Sequence, residues 1–296
     1  MPGAPKPRAI FNGAAARTRT PGIRAQLCPP TLHRAGPAKH LANGLHLRSV
    51  ALMSPMDIAF ACLAVGLLGI AKGGFGGVGT PAALPIMALG VEPELALGAL
   101  LPLLIAIDVV SVSAHRKNAD MTAVSFGLPA AVVGVLTGAA LIAIISSDLT
   151  GGVIGVLSIV FALIGLTGYL PRIDGWPAWT NSIFAALSGL TSTIAHAGGP
   201  PIHIFYLARG YDTAKFVATS AVFMAGMNLI KIVPFIVVGA LSLDAFWLAL
   251  YLAPLAVIMA ALGVALSRRI SKRAFSVTVN VLMLMVGAKL IFDAVT

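Results

Sequence analysis

Apolar residues run through this chain in long blocks. From Met56 onward ten stand out, at about 57–72, 81–90, 95–114, 121–146, 151–170, 179–196, 201–208, 214–239, 245–266 and 274–295. About 20 apolar residues cross a bilayer as a helix, and most of these blocks are of that length. The pattern predicts an all-α polytopic membrane protein. Two blocks, 81–90 and 201–208, are too short to span. Each follows a glycine-proline break: Lys72-Gly-Gly-Phe-Gly-Gly-Val-Gly-Thr-Pro81 and His196-Ala-Gly-Gly-Pro-Pro201.

Composition excludes the soluble alternative. Hydrophobic residues make up 58% of the 296 and charged residues only 10%. Soluble domains carry about 25% charged residues, and a large core would still need such a shell. The net charge of +10 comes from an arm at residues 1–52, which holds eight Lys and Arg and no acid. The rest has twelve basic and ten acidic residues, so the charge does not mark a nucleic-acid binder. The arm is rich in Pro and lacks apolar periodicity, which predicts disorder. A targeting segment is a second reading. Translation starting at Met53 or Met56 is a third. Two cysteines, Cys28 and Cys62, build neither a disulfide framework nor a thiolate metal site. No metal and no cofactor is expected.

The two halves, 53–174 and 175–296, repeat at an offset of 120 residues. Gly69 matches Gly189, Gly79 matches Gly199, Pro81 matches Pro201 and Gly90 matches Gly210; Asp108 falls on Asn228. After a five-residue shift, Pro129 matches Pro254 and Gly138 matches Gly263. Interrupted hydrophobic segments at corresponding places in two halves point to a transporter binding site. Lys and Arg gather after 95–114, 151–170, 201–208 and 245–266, while the loops at 91–94, 147–150 and 240–244 carry none. The positive-inside rule makes the first group cytoplasmic. Each half is then a re-entrant or broken helix hairpin plus three transmembrane helices. An odd number of crossings gives two inverted repeats. The 18 residues of 55–72 would reach only about 27 Å, and a basic arm outside runs against the rule.

A Gly-Gly-x-Gly-Gly-x-Gly-x-Pro break after the first helix and a His-x-Gly-Gly-Pro-Pro break opening the second half resemble the TauE/SafE family of sulfite exporters, over about residues 56–296. The resemblance implies a multi-pass protein of a bacterial-type inner membrane that moves sulfite, an organosulfonate or a related small anion. It implies no ATPase domain, and the chain has no Walker motif; a proton or ion gradient would drive it. The expected partners are that small anion and the lipid bilayer, with no nucleic acid; the sequence leaves oligomeric state open.

Candidate residues follow from the breaks. Short helices starting at Thr80 and Pro201 aim their positive ends inward. Backbone N–H groups of Gly76, Gly77, Gly79, Thr80, Gly198 and Gly199 would then hold an anion near the midplane. The bland alternative is that the glycines serve close helix packing. Lys72, directly before the first break, is costly in a membrane unless paired or functional. His196 and His203 flank the second break and are candidates for anion binding or proton transfer. Asp108 is a candidate proton carrier beside its counterpart Asn228, or else a structural partner of Lys231 or Arg116. Ser111, Ser192, Thr191 and Thr193 read as hydroxyls bonding their own helices. A Ser192–His196 pair is the one arrangement that suggests an enzyme, without an orienting acid. A passive anion channel is the remaining alternative.

Overall fold

The computed structural model describes residues 53–144, 147–167, 179–267, 269 and 271–295. The basic arm and the proposed 174/175 boundary between halves lie outside the described residues.

Among the described residues ten α-helices form, one for each apolar block: α1 (Pro55–Gly74), α2 (Ala83–Met87), α3 (Pro93–His115), α4 (Met121–Ile144), α5 (Ser147–Thr167), α6 (Thr180–Ala195), α7 (Gly199–Ala208), α8 (Thr213–Val237), α9 (Leu243–Leu266) and α10 (Lys272–Val295). No strand is present among the described residues. Six helices, α1, α3, α4, α8, α9 and α10, are long and apolar enough to cross a membrane. Large apolar side chains such as Val109, Val133, Ile144 and Val237 are exposed, as a lipid-facing surface requires. The protein is a multi-pass membrane protein.

Local chemistry sets the helix starts. Ser54 and Asp57 form a reciprocal cap on α1, with bonds of 3.2 and 2.8 Å, and Pro55 occupies the first turn. The helix runs 20 residues, or about 30 Å, so it is longer than the apolar block suggests. Its end reaches the ends of α3 and α9. There His115 Nε2 lies 3.0 Å from the Gly73 carbonyl, and Gly74 packs on the backbone of Gly263 and on Ser267. The chain then turns back through α2 until Gly90 lies against Asp57. Residues 55–90 thus form a hairpin whose two ends meet. Residues 180–208 do likewise: Asn181 Nδ2 donates to the Ala123 carbonyl at 2.8 Å, and Tyr211 and Lys215 both bond Asp120, at 2.8 and 2.9 Å.

Small residues let these helices touch. A side chain at Gly69 would meet Ala256 O at 3.0 Å and Ala260 N at 2.9 Å; one at Gly189 would meet Ala131 O and Val135 N. These are the counterparts under the 120- and 125-residue offsets. Gly263 likewise packs on the Ile70 carbonyl as Gly138 packs on that of Leu190. Helix α1 packs on α9 and α6 on α4, α3 packs on α8, and α5 on α10. Backbones approach because the glycine of each contact has no side chain in the way, which is how helices associate where water cannot drive them together.

A buried polar site between the two breaks

The break after α1 is a set of tight turns with positive φ at Gly76 (66°), Gly77 (81°) and Gly79 (95°). A Cβ disfavours that region by roughly 1–2 kcal/mol per residue. The N–H groups of Gly77, Val78 and Thr80 donate to Ala71, Phe75 and Gly77. Most donors of this break therefore close the turns themselves, and Thr80 opens a three-residue 3-10 turn (Thr80–Ala82) leading into the short α2. The second break differs. His196 takes the left-handed conformation (φ 50°) as the C-cap of α6, and α7 begins directly at Gly199 and runs ten residues. Pro200 and Pro201 supply no N–H, so Gly198 and Gly199 carry the donors at its start.

Between the breaks lies a cavity of about 20 Å³ open to the centre of a water-sized sphere. Lys72, Gly76, Gly77, Thr80, His196, Gly199, His203 and Asn228 all line it, with Ser111, Ser192 and Ser220. Gly79 instead lines a neighbouring apolar cavity, which shares Gly77 and His203 with the first. Gly198 lines neither; it packs against Ser192, Met227 and the Ser188 carbonyl.

Charge is arranged on the 120-residue offset. Lys72, at the end of α1, forms an ion pair with Asp108 Oδ1 on α3. Asn228 on α8 donates its Nδ2 to Asp108 Oδ2 at 2.7 Å, so the counterparts 108 and 228 touch. Ser111 Oγ donates to the Lys72 carbonyl at 2.9 Å. In the second half the same positions carry Ser192 and Lys231, and Lys231 Nζ reaches the Ser192 carbonyl at 3.3 Å. The lysine and serine have exchanged places. Lys231 Nζ also bonds Ser192 Oγ and His196 Nδ1, each at 3.0 Å. His196 Nε2 lies 2.8 Å from the carbonyl of Leu97 on α3. The carbonyl requires an Nε2–H donor, which leaves Nδ1 as the acceptor for the ammonium. His196 is thus held as a neutral ring between α3 and α8.

Several expectations change. Asp108 pairs with Lys72, not with Lys231 or Arg116, because α1 ends beside it. Both its oxygens are engaged by donors. Ser192 and His196 bond Lys231 rather than each other, so no nucleophile–base pair exists there. Ser111 and Ser192 do not bond their own helices as expected; they reach across to α1 and α8.

Lys231 and Ser220 were missed as site residues. Lys231 stands behind Ser192 and His196 and is fully buried. Its three bonds go to neutral acceptors. The signal was present in the sequence as a Lys/Ser exchange at 72/192 and 111/231, which identity matching passes over.

Three buried atoms facing the cavity have no hydrogen-bond partner among the described residues: Thr80 Oγ1, His203 Nε2 and Ser220 Oγ. A buried polar group left unbonded costs about 1–3 kcal/mol, and three around one cavity mark a place where something polar binds.

A search of curated proteins and a search of solved structures each give no match. A sequence profile does match: that of the family described as sulfite exporter TauE/SafE, over residues 58–290. The match spans both breaks and every residue that faces the cavity, and the chain belongs to the sulfite exporter TauE/SafE family.

Proposed function

We propose that this protein is a secondary transporter that exports sulfite or a related small sulfur-containing anion across the inner membrane, and that the anion binds in the cavity between the two breaks. The observation that carries this reading is the convergence of Thr80 Oγ1, His203 Nε2 and Ser220 Oγ, all unpartnered, on a cavity faced by the Lys72 ammonium. Two buried lysines stand against one buried carboxylate, and Lys231 Nζ has three acceptors at 3.0 to 3.3 Å, one for each proton of an ammonium, so the site has an uncompensated positive charge. Isolated buried charges are unfavourable, and an anion supplies the missing partner. The start of α7 adds its dipole through Gly199, which lines the cavity.

The cavity holds about one or two water-sized groups as it stands. An anion of four or five heavy atoms enters as the breaks move apart. The matched packing of the halves supports division into repeats at about 53–174 and 175–296. The loop charges support their inversion. In that arrangement α3 and α8 cross at Asp108–Asn228 while each hairpin opens to one side of the membrane. His203, whose Nε2 has no partner, is placed to hydrogen-bond the bound anion as a neutral ring; Asp108 stays engaged by Lys72 and Asn228.

Radiolabelled sulfite flux in proteoliposomes, with and without a pH gradient, tests the reading. Lys72→Ala should weaken sulfite binding by roughly 10- to 150-fold, the loss of a charge-assisted bond of about 1.5–3 kcal/mol. Gly199→Val should abolish flux, because even a Cβ there meets the His203 ring at 3.0 Å. Normal flux in well-expressed Lys72→Ala and Gly199→Val proteins would place the substrate elsewhere. Flux that dissipates either gradient without coupling would mark a channel.

A further inference from the structure

We infer that the site selects anions by valence, taking monoanions over dianions, and that Asp108 sets this preference. The inference rests on the anion site proposed above and adds to it a rule of selection.

The argument is a count of charge around the cavity. Helix α1 contributes Lys72, α3 contributes Asp108 and α8 contributes Lys231, each 4% exposed or less. No other Lys, Arg, Asp or Glu is buried among the described residues. The remaining titratable groups are His196, held neutral between the Leu97 carbonyl and the Lys231 ammonium, and His203 on α7, packed on the Phe216 ring with centroids 4.9 Å apart. The sum is one positive charge. A single negative charge balances it, while a dianion leaves one negative charge buried.

Position makes Asp108 the control. Lys72 faces the cavity, and Asp108 lies behind it in direct ion pairing. On the other side Asn228 stands where a second carboxylate would be and carries no charge. Without the carboxylate, both lysines act on the cavity and the sum becomes two. Two unit charges about 6 Å apart interact by about 3 kcal/mol at an effective dielectric of 20, and each 1.4 kcal/mol is tenfold. One buried charge therefore changes the preference between valences by tenfold or more.

The test measures sulfite flux by the full-length protein in proteoliposomes at pH 7. Methanesulfonate and sulfate compete as a monoanion and a dianion whose charges do not change near that pH. In the wild type, methanesulfonate should compete at least about tenfold better than sulfate. D108N should reverse the order. K231M, which brings the sum to zero and leaves the Lys72–Asp108 pair intact, should weaken both competitors. The double variant K72Q/D108N restores a sum of one through Lys231 and should restore the order, even with slower flux. This double variant also covers the case in which D108N does not fold. An unchanged order in D108N, or a sulfate-preferring K72Q/D108N, overturns the valence rule while leaving the anion site standing. Sulfite flux that neither competitor affects in any protein, the wild type included, overturns both.

Discussion

The first glycine break and the second occupy the same place in their halves, yet they are built differently. The first is a run of left-handed glycine turns that uses most of its own N–H groups and leads into a helix of only five residues. The second is a short bend with one left-handed residue, His196, opening a ten-residue helix. The side chains show the same contrast. The first half presents its lysine from the hairpin and backs it with Asp108. The second presents its lysine from the crossing helix α8, shielded by Ser192 and His196 and opposed by no acid. What repeats is the backbone frame and its small-residue contacts; the charge is distributed over both halves and belongs to neither alone.

The two lysines give the largest expected difference. Lys72→Met strands Asp108 in a buried position, and breaking a buried pair costs about 3–5 kcal/mol. Lys231→Met removes the uncompensated cation and leaves neutral partners, so stability should hold or rise while sulfite affinity falls. Thermal unfolding of the purified proteins, beside sulfite flux, separates these outcomes. Equal destabilisation by both substitutions would erase the distinction between a paired and an unpaired lysine.

The packing contrast comes next. Gly73 and its counterpart Thr193 face α9 and α4. A side chain at Gly73 would overlap the Ala260 carbonyl, whereas Thr193 already fits against Gly138. Gly73→Thr should therefore destabilise the protein by about 2–3 kcal/mol through overpacking. Thr193→Gly should cost about 1 kcal/mol, the usual penalty for glycine within a helix. A protein that tolerates Gly73→Thr would show that the α1–α9 contact is looser than its counterpart.

Within the breaks, Gly79→Ala should cost about 1–2 kcal/mol, because φ is 95° there. Gly199→Ala has no left-handed φ to strain, but its Cβ would come within 3.0 Å of the His203 ring, so it should act mainly on sulfite affinity. The last effect lies in the loop between α3 and α4, where Asp120 caps α4 by accepting from Ala123 N at 3.0 Å. That bond, with Lys215 beside it, holds the Asp120 carboxyl down from 3.8 to about 2. A depressed carboxylate stabilises the fold when ionised. The difference between wild type and Asp120→Ala should be about 1 kcal/mol at neutral pH and shrink as pH falls from about 4 through 2. A difference that grows on acidification would assign the cap another role.

Every helix was legible in the sequence because apolar block length and the glycine-proline breaks are local signals. The end of α1 was less so. Lys72-Gly-Gly reads as the start of a break, but Gly73 and Gly74 continue the helix because α9 offers a surface that only glycine can approach. In the site, Lys72, His196 and the break glycines carry their own sequence cues. Lys231, Ser111 and Ser192 are cued only by the Lys/Ser exchange across the 120-residue offset, and Ser220 not at all. They sit within apolar blocks, and their roles come from neighbours on other helices. Asp108 was visible as a buried acid, but its partner depended on where α1 stops.

Asp108 and Asn228 stand 120 residues apart in the chain and bond each other directly. A dimer made of two identical halves would have to put the same residue on both sides of that point. Two aspartates there would compete for a shared proton; two asparagines would leave Lys72 and Lys231 both without a counter-ion. Joining the halves in one chain removes that constraint, since each copy can change alone. One continuous polypeptide can thus carry an odd charge at its centre, where a pair of equal subunits could hold only an even one.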